Sequence, residues 1–156
     1  MNAQELFFRT IQSGNLENLK LQLQNNPHLV NSEDARGFTP LIFATYFDKE
    51  AIAQLLIEHK ANINAKDASG NTALIGVSFK GNVKLTRLLI KNGADVNAQN
   101  NKGTTALSFA TQYNQEAVVK ILLEYNADKS IKDADGKIAL YYAKSKEFYN
   151  LIPLLG

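Results

Sequence analysis

The chain has 156 residues, a net charge of +2, no cysteine and 45% hydrophobic residues, which is one domain's worth of chain with enough apolar material for a continuous core. Without cysteine there are no disulfides, thiolate metal centres or cysteine nucleophiles, and a charge this small does not by itself argue for nucleic acid. No apolar run reaches the length of a membrane span, and Met1-Asn2-Ala3-Gln4-Glu5 has neither the basic start nor the apolar stretch of a secretory signal, so a cytoplasmic protein is expected.

The first unit, about 1–33, carries Gly14-Asn15-Leu16-Glu17 and ends in Pro27-His28-Leu29-Val30-Asn31, with about one residue more before Pro27 than later units have. From there glycine recurs at Gly37, Gly70, Gly103 and Gly136, every 33 residues, and a fixed period of that length marks stacked repeats. In the second unit, about 34–66, Thr39-Pro40-Leu41 opens a helix: Thr39 is its N-cap and Pro40 takes the first helical position, where no N–H is needed. A break at Asp48 precedes a second helix, whose Ile52, Leu55 and Leu56 form one apolar face at i, i+3, i+4. That helix stops near Lys60, before Ala61-Asn62-Ile63-Asn64-Ala65. The third unit, about 67–99, repeats this as Thr72-Ala73-Leu74, a break at Gly81, Leu85, Leu88 and Leu89, a stop at Gly93 and Ala94-Asp95-Val96-Asn97-Ala98. In the fourth, about 100–132, come Thr105-Ala106-Leu107, Asn114, then Val118, Ile121 and Leu122, Asn126, and a degraded Ala127-Asp128-Lys129-Ser130-Ile131. The fifth, about 133–156, has Ile138-Ala139-Leu140, Glu147, then Leu151, Leu154 and Leu155; Ile138 cannot cap, and Pro153 removes a helical hydrogen bond. At the stops a left-handed residue is expected, which Gly93 adopts freely, Asn126 tolerates and Lys60 reaches only with strain. The polar segment from Asn64 to Gly70 predicts a hairpin or loop between units.

The 33-residue period, Gly-x-Thr-Pro-Leu, the paired leucines and Gly93-Ala94-Asp95-Val96-Asn97-Ala98 resemble the ankyrin repeat, over essentially the whole chain. The resemblance implies an all-α solenoid of five stacked helix-turn-helix repeats in a single domain, 1–156, with hairpin-like loops along one edge and the first and last repeats as caps. One departure concerns the histidine the family usually places after Thr-Pro-Leu to tie repeats together. Ile42, Ile75, Ser108 and Tyr141 stand there, so that tie is missing or replaced by packing.

Catalytic chemistry finds little support. His28 and His59 have no second ligand at metal spacing and read as solvent-exposed surface, and no nucleophile elbow, phosphate loop or His-Glu-x-x-His is present. Gly70, Gly76 and Lys80 loosely suggest a phosphate loop, but the spacing is wrong. Asp133 and Asp135 fall where carboxylates do turn work. No enzyme, cofactor or metal is expected.

The resemblance implies protein binding on a concave face formed by the hairpin tips and the exposed ends of the first helices. On the hairpins that face holds Arg36, Phe38, Lys66, Ser69, Asn71, Gln99, Lys102, Thr104, Lys132, Asp135 and Lys137; on the first helices it holds Tyr46, Phe47, Phe79, Lys80, Gln112, Tyr113 and Lys146. The aromatics Tyr46, Phe47, Phe79 and Tyr113 are candidate anchors, weighed against packing on the next unit. Lysines dominate this face while Glu50, Glu58, Glu116 and Glu124 map to the outside, so an acidic protein partner is expected for a monomeric module. Two alternatives stay open: a polyanion or nucleic-acid binder using the lysine-rich edge, and a small-molecule-responsive regulator using space at Gly76. That glycine stands where neighbouring units have Phe43, Phe109 and Tyr142. Either flanking phenyl rings fill the space, or a small apolar cavity lies between units.

Overall fold

The computed structural model describes residues 1–156. Ten α-helices and one 3-10 turn carry the chain, without a strand. They fall into five antiparallel pairs: α1 (Ala3–Ser13) with α2 (Leu16–Asn25), α3 (Pro40–Tyr46) with α4 (Glu50–Glu58), α5 (Ala73–Lys80) with α6 (Val83–Lys91), α7 (Ala106–Gln112) with α8 (Glu116–Glu124), and α9 (Ala139–Ser145) with α10 (Ile152–Leu155). The 3-10 turn, Pro27–Asn31, accommodates the extra residue of the first unit.

Local chemistry starts each first helix. The hydroxyls of Thr39, Thr72 and Thr105 accept from the N–H groups of Ile42, Ile75 and Ser108, all at 3.2 Å, a cap worth about 1 kcal/mol each. Ile138 makes no such bond. Asn2, Asn15 and Asn82 do the same work for α1, α2 and α6.

The pairs then stack like on like. The first helices α3, α5, α7 and α9 pack in one row, and α4, α6 and α8 in a second. One contiguous core runs from Phe7 to Leu155 between the rows. Leu41, Leu74 and Leu107 fill it from the first row; Leu56, Leu85, Leu89, Val118 and Leu122 fill it from the second. Burying polar atoms here requires partners, and a column of hydroxyls supplies its own: Thr45, Ser78 and Thr111 donate to the carbonyls of Leu41, Leu74 and Leu107 one turn back. Ile42 and Ile75, at the histidine position of the motif, are buried in the same core. At these two positions packing replaces the polar tie.

Backbone handedness sets the pair geometry. Between the two helices of each pair one residue is left-handed: Gly14 (φ 79), Asp48 (57), Gly81 (80), Asn114 (52) and Glu147 (58). A second such position ends α4, α6 and α8 at Lys60 (φ 67), Gly93 (97) and Asn126 (64). The last pair is cut short. The period from Glu116 would start α10 at residue 149, yet it begins at Ile152 with Pro153 in its first turn, as expected for a residue that cannot continue a hydrogen-bond ladder. No helix is long and apolar enough to cross a membrane.

Lys60 carries the strain the sequence predicts, since its Cβ crowds the backbone at positive φ. Lys60→Gly removes that strain, offset in part by the greater freedom of glycine in the unfolded chain. The expected gain is about 0.5–1 kcal/mol, seen as a rise of roughly 1–4 °C in Tm; a lower Tm would contradict it.

Candidate partner-binding face

Each loop between pairs is built around one side chain. Asp34, Asp67, Asn100 and Asp133 stand 33 residues apart. In every case Oδ1 accepts two backbone N–H groups, two and four residues on: Arg36 and Phe38, Ser69 and Asn71, Lys102 and Thr104, Asp135 and Lys137, all at 2.9–3.0 Å. A backbone bond from Asp67 N–H to Asn71 C=O at 3.0 Å, repeated in the other loops, closes the turn. The loops stack through Asn101 N–H to Ser69 C=O (3.0 Å) and Ala134 N–H to Lys102 C=O (2.9 Å). Gly103 is at φ 73 in this turn, and a Cβ on it would lie 3.0 Å from Ala134 N; only glycine allows that approach. The sequence reading assigned turn work to Asp133 but missed the column, whose signal was the 33-residue recurrence of an Asp or Asn.

Many of the candidate binding residues are joints between units. Lys66 Nζ donates to Gln99 C=O at 2.9 Å, and Gln99 Nε2 to Lys132 C=O at 3.1 Å. Lys146 Nζ donates to Gln112 C=O at 2.9 Å. Lys80 Nζ donates to Tyr46 C=O and pairs with Asp48 at 3.2 Å. Asn100 Nδ2 donates to Asn71 Oδ1 at 2.9 Å; Arg36, by contrast, pairs within its own loop, with Asp34 at 2.7 Å. The bonds that cross from one unit to the next tie neighbouring repeats along the edge. Lys102 and Lys132 are exposed, and their ammonium groups make no hydrogen bond within the chain. His28 is exposed as expected, but His59 is half-buried, its Nδ1 at 2.9 Å from Leu55 C=O. Its place at the end of a helix lets the ring fold back on the last turn.

The aromatics form two groups. In the first, Phe43, Phe47, Tyr46 and Phe38 follow one another at centroid distances of 4.8, 5.3 and 6.3 Å. The second joins Phe79, Phe109 and Tyr113, with Phe79 stacked on Phe109 at 5.4 Å. Tyr46, Phe47 and Tyr113 are 37%, 46% and 52% exposed, whereas Phe79 is half-buried between Phe109 and Tyr113. Phe79 is therefore partly a packing residue, and the other three present free ring surface.

Between the two groups lies a cleft of about 350 Å³, lined by Phe38, Tyr46, Phe79 and Phe109, by Gly76, and by Arg36, Asp67, Ser69 and Asn71 on the loop side. Of the two readings of Gly76, flanking rings or a cavity, the structure shows the cavity. A Cβ there would meet only Tyr46 Cδ2, at 4.0 Å. The rings of Phe43 and Phe109 pack against their own neighbours and leave the glycine open.

Comparison with known families fits this geometry. A family model for ankyrin repeats in three copies matches residues 7–100 and again residues 76–155. The chain belongs to the ankyrin repeat family. Among curated proteins no match was found. Ankyrin repeats are in general protein–protein interaction modules and typically non-enzymatic, using the long concave surface that a solenoid creates.

The carboxylates of this ankyrin stack are tuned by their hydrogen bonds. Asp34 and Asp133 are partly desolvated, which opposes ionisation. Hydrogen bonds from Arg36 to one, and from the Tyr142 hydroxyl and two backbone N–H groups to the other, outweigh that and hold both below the ordinary 3.8. Asp48 behaves alike: Asn82 and Lys80 overcome its desolvation. By accepting that hydroxyl's hydrogen bond, the Asp133 carboxylate favours the protonated phenol and pushes Tyr142 up to about 12.

Two measurements follow from this face. Gly76→Ala places a methyl group in open space on a helix and is expected to stabilise by about 0.5–1 kcal/mol; strong destabilisation in a urea titration would show the site is filled. Because the native pKa values of Asp34, Asp48 and Asp133 are lowered, their stabilisation is fully present above the unfolded value of about 3.9 and is lost as pH falls through the lower native values. The urea midpoint should therefore be insensitive to these groups from pH 7 to about 5 and drop below pH 4, with Asp133→Asn reducing the drop.

Proposed function

We propose that this ankyrin domain is a non-catalytic module that holds a partner protein on its concave face, along the loop edge and the exposed ends of α3, α5 and α7. The observation that carries the reading is the aromatic cleft at Gly76, with the free ring surface of Tyr46 and Tyr113 on either side. Aromatic side chains around a desolvated pocket are the usual anchors of an interface. The rigid joints between units mean that little conformational entropy is lost on binding. The lysines at 102 and 132, unpaired and on the loop edge, favour an acidic surface on the partner, acting mainly on association rate and specificity. Such a domain acts in the cytoplasm, as a monomer, without cofactor or metal.

The test is affinity capture from the source lysate with the wild type, with Tyr46→Ala/Tyr113→Ala, and with Lys102→Glu/Lys132→Glu, each shown by circular dichroism to be folded. A specific protein retained by the wild type should be lost by the aromatic variant. The charge variant should bind it more slowly, with a weaker salt dependence. Equal capture by all three would move the interface to the outer helices. Retention of nucleic acid, indifferent to sequence and lost steeply with salt, would favour the polyanion alternative instead.

A further inference from the structure

The loop carboxylates use their second oxygen or its counterpart in every unit but one. Asp34 Oδ2 takes two bonds from Arg36. Asn100 Nδ2 donates to Asn71. Asp133 Oδ2 accepts from the hydroxyl of Tyr142. Asp67, half-buried in the lining of the cleft, has Oδ1 satisfied by Ser69 and Asn71 while Oδ2 accepts from no group of the protein.

Tyr142 and Asp133 lie two 33-residue periods beyond Gly76 and Asp67. The fifth unit therefore displays what is missing from the third. There a tyrosine ring fills the space under the loop and its hydroxyl reaches the loop carboxylate; here the acceptor is present and the ring is absent. Phe43 and Phe109 supply rings at the same helical position in the units on either side, so the gap is confined to the third unit.

From this correspondence we infer that the Gly76 cleft receives a tyrosine side chain of the partner protein, its ring between Tyr46 and Phe79 and its hydroxyl donating to Asp67 Oδ2.

The charge around the cleft selects the same chemistry. A cationic side chain is disfavoured, because Arg36 already lies 4.4 Å from the Phe38 ring centroid and Lys80 lies 4.8 Å from that of Tyr46. An anion would meet the Asp67 carboxylate and apolar walls. A neutral ring with one donor satisfies every wall, and leaving the donor off wastes the acceptor. The source is a polypeptide because the cleft continues into a polar depression of about 570 Å³ over the next unit, which shares Ser69, Asn71 and Phe109 with it. Asn71 Nδ2 and the ammonium of Lys102, both without acceptors in the chain, border that continuation and suit the carbonyls and acidic groups of an extended segment.

The inference rests on the concave-face reading, and its test reads the cleft separately. N-acetyl-L-tyrosinamide and N-acetyl-L-phenylalaninamide are titrated into 15N-labelled protein, following the amides of Ser69, Asn71 and Gly76. The tyrosine probe is expected to shift them and to bind about ten-fold more tightly than the phenylalanine probe, the effect of one hydrogen bond to a charged acceptor. Asp67→Asn keeps the loop, as Asn100 does in its own unit, and should shrink that preference several-fold, since a neutral amide replaces the charged acceptor. Gly76→Tyr should fill the cleft from within, abolish binding of the probe and melt at a higher temperature than Gly76→Phe. Equal affinity for the two probes overturns the inference, as does no binding of either or binding unaffected by a folded Gly76→Tyr. The wild-type titration decides even if that variant misfolds. If a partner is lost by Tyr46→Ala/Tyr113→Ala but held equally by Gly76→Tyr, the concave face stands and the tyrosine inference falls. If capture ignores both, the concave-face reading falls as well.

Discussion

No helix pair in this chain can bury its apolar surface alone. Leu41, Ile42 and Phe43 lie on a helix of only seven residues, too short to be stable in water by itself, and α4 offers Ile52, Leu55 and Leu56 to one side of it. Stability comes from the neighbours: each pair completes the core of the one before, giving a single run of buried side chains from Phe7 to Leu155. Every other feature serves this nearest-neighbour stacking. Threonine caps start the first helices at the right residue, left-handed turns fold each pair, and loop carboxylates fix where the next pair begins.

The polar contacts between units follow the same constraint. A stack held only by leucines would slide, since apolar contact is not directional. Directional bonds recur along the loop edge: Lys66 to Gln99, Gln99 to Lys132, Lys146 to Gln112, and the Asn101 side chain to Ala68. They set the register between units, and they use side chains that an inspection of composition assigns to the solvent. A lysine bonded to a carbonyl keeps its charge, so the edge remains basic while its side chains are held in place.

Function in this architecture lies where the repetition fails. Where the helix position carries Phe43, Phe109 or Tyr142, the space beneath the loop holds a ring; Gly76 leaves it open. The loop carboxylates carry the same irregularity, with Asp67 alone keeping an oxygen free. A substitution that removes a ring while leaving its acceptor gives this cleft a chemistry the other units do not offer.

The period, the Thr caps, the i, i+3, i+4 faces and the strained Lys60 were all legible in the residues, because each depends on contacts within one unit or on backbone geometry at one position. The truncation of α10 by Pro153 was legible for the same reason. The state of Gly76 was not, since it depends on where the rings of Phe43, Phe79 and Phe109 turn, and those rings belong to three units. Nor was the dual role of Lys66, Lys80 and Gln99, whose bonds reach groups 33 or 34 residues away. The sequence by itself determined that this chain stacks helix pairs and where each begins and ends, through local propensity repeated at a constant period. Only the tertiary structure decided which surface side chains are joints and which are free, and that the space at Gly76 is open, because both follow from side-chain packing across the boundary between repeats.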